Sequence, residues 1–215
     1  MPRTFPALLF LLPGFLFLSA AAPEDAGLGK FEASADVGKV EPAGKATFDK
    51  TTDQYKITAS GANIWAKLDA FHFLFRKLSG DVTLEADIAF VGDGKNPHRK
   101  AGWMIRQSLG PDAPYVDVMV HGEGLIALQY RSEKGGITKD IASKTKSPAT
   151  VKLERRGDTF TVSVAAKGQA FTPVGEIKVP MPDPVYAGLA VCSHDEATSE
   201  TAVFSNVSIK DHLTK

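Results

Sequence analysis

Cysteine is almost absent from this chain. Cys192 stands alone, so no disulfide can form within the molecule, and the run AGLAVCSH around it reads as a small core residue. Neither charge is in excess. The 25 Lys and Arg balance the 25 Asp and Glu, and the formal net charge is zero. Nucleic acids and anionic membranes recruit a basic excess, so neither is an expected partner. No stretch repeats at a helical period, and beyond residue 22 no apolar run is long enough to span a bilayer. Several catalytic signatures are missing too. There is no Gly-x-Ser-x-Gly elbow and no phosphate-cradling glycine loop ahead of a helix. Ser193-His194-Asp195 is consecutive, whereas a triad is assembled from separate segments.

One apolar run does occur, Ala7 to Leu18, after Arg3 and before Ser19-Ala20-Ala21-Ala22. It is too short for a core about 30 Å thick. A basic start, a short apolar middle and small residues predict an export signal over 1–21, cut after Ala21 or Ala20. The expected location is secreted or periplasmic, with no membrane attachment after cleavage. Residues 22–44 are expected to form a leader or edge strand, and residues 45–212 one domain. The remaining ~190 residues suffice for a large core without cross-links.

What fills the chain is a succession of short alternating segments. Expected strands run over 45–49, 54–60, 71–77, 81–90, 101–108, 115–121, 125–131, 150–156, 159–165, 174–179, 186–193 and 201–209. Ile64–Ala70 reads as a helical turn or strand. The fold class implied is all-β, a two-sheet antiparallel jelly-roll sandwich.

Period two also sorts the faces. Val116, Val118 and Val120 share one face; Tyr115, Asp117, Met119 and His121 share the other. The same parity exposes Arg106, Gln129 and Arg131 opposite the apolar sets of their strands. Glu85 and Asp87 do likewise, and His194 ends the strand after Ala187. Carboxylate, guanidinium and amide groups beside an aromatic ring suit a sugar, which offers hydroxyls around an apolar ring face. Trp65, Trp103 and Tyr115 are the available platforms; Trp103 shares the face of Ile105 and reads as core. The predicted ligand-binding set is therefore Arg106, Tyr115, Asp117, His121, Gln129, Trp65, Asp87 and His194, with no catalytic and no metal-ligating residue assigned. His72, among three phenylalanines, reads as a structural histidine. His194-Asp195-Glu196 lacks a second histidine at a zinc spacing. No cofactor is expected. Calcium alone stays open, because Asp93 and Asp195 supply loop oxygens without a spacing motif.

Five segments, Asn63–Phe90, His98–Leu109, Tyr115–Arg131, Val151–Val162 and Val185–Ile209, together resemble the bacterial concanavalin A-like β-sandwich domains of undetermined activity. AGWMIR and GLAVCSH carry the resemblance most specifically, and it covers most of residues 45–210. It implies an exported jelly roll, of a kind sometimes appended to glycosidases or propeller domains. Jelly-roll glucanases of that class place three acids on one strand as Glu-x-Asp-x-Glu. Glu85-Ala86-Asp87 supplies two, but Ala89 or Phe90 stands where the third belongs. The expected function is binding of a glycan or related polyhydroxylated ligand without catalysis. A glycoside hydrolase or lyase using Asp117, His121 and Arg106 is the alternative, and a structural or protein-interaction module the third.

Overall fold

The computed structural model describes Met1 and residues 27–212; the export signal expected at 1–21 lies, Met1 apart, outside them. In chain order the first strands are β1 (Ala33–Val37), β2 (Lys45–Asp49), β3 (Gln54–Gly61), β4 (Ile64–Trp65) and β5 (Leu68–Asp69). Then come β6 (Phe71–Leu78), β7 (Asp81–Phe90), β8 (Lys100–Arg106), β9 (Tyr115–His121), β10 (Ile126–Arg131) and β11 (Lys139–Ala142). The chain closes with β12 (Ala149–Arg156), β13 (Thr159–Ala166), β14 (Thr172–Lys178), β15 (Val185–Cys192) and β16 (Asp195–His212). There is no helix among the described residues.

Two seven-stranded antiparallel sheets face each other. The first runs β1-β6-β15-β8-β9-β10-β11 and the second β14-β13-β12-β7-β16-β3-β2. The fold is an all-β jelly-roll sandwich. Alternation supplies the core: Val116, Val118 and Val120 of β9 meet Leu84, Ala86 and Ile88 of β7 and Val151 and Leu153 of β12 between the sheets. Trp103 belongs to this core, fully buried, its ring 5.9 Å from that of Phe31. Burying such side chains contributes roughly 1.5–3 kcal/mol each.

The first sheet departs from a half-solvated sandwich. Every residue of β8 and β9 is buried, so both faces are covered. The second face carries its own apolar cluster, with Phe71, Phe73 and Phe75 from β6 and Met104, Tyr115 and Met119 from the neighbouring strands. The cover comes from the segment expected as a helical turn or strand. It is a two-stranded hairpin, β4 with β5, lying outside both sheets. β1 falls within the 22–44 stretch expected as a leader or edge strand, and it pairs with β6 at the sheet edge. β11 had no counterpart in the sequence reading, being short and mostly exposed.

Two glycines allow the middle of this sheet to close. A Cβ on Gly102 would lie 1.9 Å from the Val118 carbonyl oxygen, and one on Gly188 2.1 Å from that of Leu74. Both fall within the segments that carry the family resemblance.

Candidate functional site

The outer face of the first sheet holds a row of polar side chains that the register aligns. Arg106 pairs with Tyr115 and Lys100 with His121 across β8 and β9, while Gln129 and Arg131 stand opposite Asp117 and Tyr115 across β9 and β10. Arg106, Tyr115, Asp117, His121 and Gln129 thus share one face. The roof divides the row into a sealed half and an open half.

The sealed half is centred on Asp69 of β5. Arg131 donates to it through two nitrogens, Nη2 to Oδ1 at 2.7 Å and Nη1 to Oδ2 at 2.8 Å. Arg106 approaches from the other side, Nη2 to Oδ2 at 3.4 Å, and donates to the carbonyls of Ser108 and Gly110 at 2.6 Å each. All three side chains are wholly buried. Burial pushes the Asp69 carboxyl above its ordinary value, and the Arg131 hydrogen bonds and the Arg106 charge oppose it. Two guanidiniums thus face one carboxylate. Burial lowers Arg106 to about 10, still protonated at neutral pH. Tyr115 is closed in as well, its hydroxyl 3.0 Å from Thr138 Oγ1. The expectation that Arg106 and Tyr115 contact a ligand meets a physical obstacle here. Both are fully covered, and the guanidinium is committed to holding loops. The carboxylate that Arg106 meets is that of Asp69, not that of Asp117 or Asp87.

The open half is a pocket of about 400 Å³ lined by Trp65, Gln129, Asp140, His121, His194 and Lys100, among others. Trp65 is half-buried at its rim, with the Lys100 ammonium 5.3 Å from its ring centre. Lys100 donates to Asn63 Oδ1 at 2.7 Å and to the Ile64 carbonyl at 2.9 Å. Asn63 Nδ2 in turn lies 3.0 Å from His194 Nε2. His194, in the left-handed region at φ 58°, is thereby held at the pocket edge.

Several polar atoms here have no hydrogen-bond partner: both carboxylate oxygens of Asp117, both ring nitrogens of His121 and Oε1 of Gln129. Buried polar groups are paired as a rule, so such a concentration calls for a cause. Burial raises the Asp117 carboxyl well above the ordinary range, while Lys100 pulls it back. Burial lowers Lys100, which Asp117 counteracts. Burial, then the Lys100 charge, lower His121 to about 3, so its imidazole is neutral at physiological pH.

Asp87 is corrected outright. It lies on β7 of the second sheet with Glu85, on the outer face of the opposite side of the sandwich. Its oxygens accept from Thr150 Oγ1 and, at 2.7 Å, from Asn206 Nδ2. A larger depression of about 570 Å³ opens there over Asp87, Thr150 and Pro148. Its one acid is already satisfied, so greater size brings no unmet polar demand. His72 Nδ1 donates to Asp36 Oδ1 at 2.7 Å, in keeping with a structural role.

Sequence reasoning missed Lys100, Asn63 and Asp69. Lys100 was within reach, because it continues the parity of Arg106, Met104 and Gly102 by one step beyond the expected strand start. Asn63 precedes β4 and Asp69 ends the two-residue strand β5, and strands this short offer no period to assign a face.

No family model matches the chain, and no curated protein matches it. Solved structures do. A functionally unknown protein from Saccharomyces cerevisiae superposes with a TM-score of 0.64 at 14% identity, covering 87% of this chain and 99% of that one. The carbohydrate-binding module CBM66 from Bacillus subtilis gives 0.53 at 18% identity, covering 85% and 98%. A Family 7 alginate lyase in complex with its product gives 0.51 at 10% identity, covering 77% and 82%. At these identities the likeness is one of fold.

Proposed function

We propose that this chain is an exported, non-catalytic binder of a glycan or a similar polyhydroxylated ligand. The ligand would sit in the pocket between Trp65, Gln129 and His121. The observation that carries the reading is the set of unpartnered buried polar atoms on His121 and Gln129, which line an open pocket with an indole at its rim. Sugar hydroxyls both donate and accept, so they answer a neutral imidazole and an amide oxygen together. The Trp65 ring face would cover the apolar side of the sugar ring. That the similar structures include a carbohydrate-binding module and an alginate lyase adds support. The hydrolase or lyase reading through Asp117, His121 and Arg106 is weaker because the Arg106 guanidinium is fully buried and bonded to Asp69, Ser108 and Gly110.

A glycan array with the mature chain, followed by chromatography of the bound sugar after incubation, tests the proposal. Retention of an unchanged sugar, lost in Gln129→Ala, supports it. Release of a shortened or unsaturated product would replace binding with catalysis, and no retention across the array would remove the sugar.

A further inference from the structure

One corner of the pocket brings together three ligating side chains, of which the glycan reading uses His121 alone. A ring nitrogen of His98, a ring nitrogen of His121 and a carboxylate oxygen of Glu123 all lie within 4.8 Å of one another. They are spaced irregularly in sequence, and backbone pairing gathers them. His121 ends β9, and Glu123 sits two residues on in the turn to β10. The Gly122 N–H donates to the Arg99 carbonyl at 3.0 Å and the Glu123 N–H to the Pro97 carbonyl at 2.9 Å, which fastens the segment bearing His98 onto that turn. Gly122 permits the close approach, since a Cβ there would lie 2.8 Å from Arg99 Cγ and 2.9 Å from the Asn96 carbonyl oxygen.

We propose that His98, His121 and Glu123 bind a zinc-class divalent cation, with the fourth position left to water or a ligand oxygen. His121 is 6% exposed, and neither ring nitrogen has a partner. A buried imidazole without a hydrogen bond is costly, and a metal bond removes that cost at one nitrogen. His98 and Glu123 are exposed, with Nδ1 and Oε1 3.5 Å apart, and both side chains can rotate. With metal–ligand bonds of about 2.0–2.1 Å, ligand atoms stand roughly 3.3 Å apart, and side-chain rotation on two exposed residues covers the difference. Two imidazoles and one carboxylate favour zinc and its neighbours over calcium, which selects all-oxygen shells. Lys100, which lines the same pocket, is anchored to Asn63 Oδ1 and the Ile64 carbonyl. His194 is left out, because Asn63 and Asn96 occupy its ring nitrogens. The proposal goes beyond glycan binding and stands without it.

The test uses the untagged mature chain, stripped with a chelator and titrated calorimetrically with Zn²⁺, with Co²⁺ as a spectroscopic probe. One equivalent should bind, and Co²⁺ should give the intense visible bands of a tetrahedral site with nitrogen ligands. His98→Ala and Glu123→Gln, both at exposed positions, should each weaken binding by more than about tenfold, as loss even of a supporting group does at metal sites. His212→Ala, on the second sheet, should change nothing. No binding, or binding indifferent to His98 and Glu123, overturns the proposal. Neither readout contains a sugar, so the glycan reading stands or falls separately.

Discussion

Arg131 grips Asp69 at two points, 2.7 and 2.8 Å, with neither side chain exposed to water. The pair joins the end of β10 to the hairpin that roofs the sheet. Further ties surround it: the Asp69 N–H donates to the Pro111 carbonyl, and Thr138 N–H to that of Ala66. Removing the carboxylate would strand two buried guanidiniums. Asp69→Ala should therefore cost about 3–5 kcal/mol in urea unfolding. A loss under about 1 kcal/mol would mean that the roof holds without this pair.

Asp117 makes the stability depend on pH in a defined direction. An unfolded aspartate titrates near 3.9, and burial raises the native value well above that. Between the two, the native state binds more protons, so stability falls as pH rises. Asp117→Asn lacks this penalty. Its urea midpoint should match that of the parent chain near pH 4 and exceed it increasingly toward pH 7. A parent chain that gains on the variant with rising pH would instead mark an ionised Asp117 paired with Lys100. Val118→Asp, one residue along and facing the core, should cost several kcal/mol at neutral pH.

Gly102 is predicted to be irreplaceable for a reason of space. An added Cβ meets the Val118 carbonyl, which cannot retreat without breaking the β8–β9 ladder. Gly102→Ala should cost more than about 2 kcal/mol in guanidinium unfolding, at the upper end of overpacking. Gly80→Ala is the comparison. It has φ +79° and no neighbour within 4 Å, so only backbone strain of about 1–2 kcal/mol applies. Equal costs at the two positions would contradict the close approach.

Trp65 offers the cleanest separation of binding from folding, since it stands half-exposed at the pocket rim. Trp65→Ala should weaken retention of an array-identified sugar by at least about tenfold, near 1.4 kcal/mol, with the thermal midpoint moving only slightly. Unchanged affinity would exclude the indole as the platform.

Alternation made the sandwich readable, and β9 emerged with the expected bounds and faces. It separated Val118 from Asp117 because side-chain direction along a strand is a local property. Which sheet carried a face was not local. Asp87 and Asp117 have the same parity argument behind them, yet they lie on opposite sides of the molecule, because strand order is set by pairing between distant segments. Nor does parity distinguish solvent from a roof. Arg106 was assigned an outward direction correctly, but Asp69, four positions after a two-residue strand, decided what it would touch. The His98–His121–Glu123 corner was equally invisible, since only the folded turn brings those positions together.

The clamped roof has a kinetic consequence. Loops that fold over a ligand lose conformational freedom at the moment of capture and tax both affinity and rate. Here the hairpin and its neighbouring loops are already fixed by Asp69, so that loss is taken when the chain folds. A ligand seated beside Trp65, as proposed, would meet a hairpin that is already fixed. Encounter frequency should vary little from one guest to another, and discrimination should reside in how long each one stays.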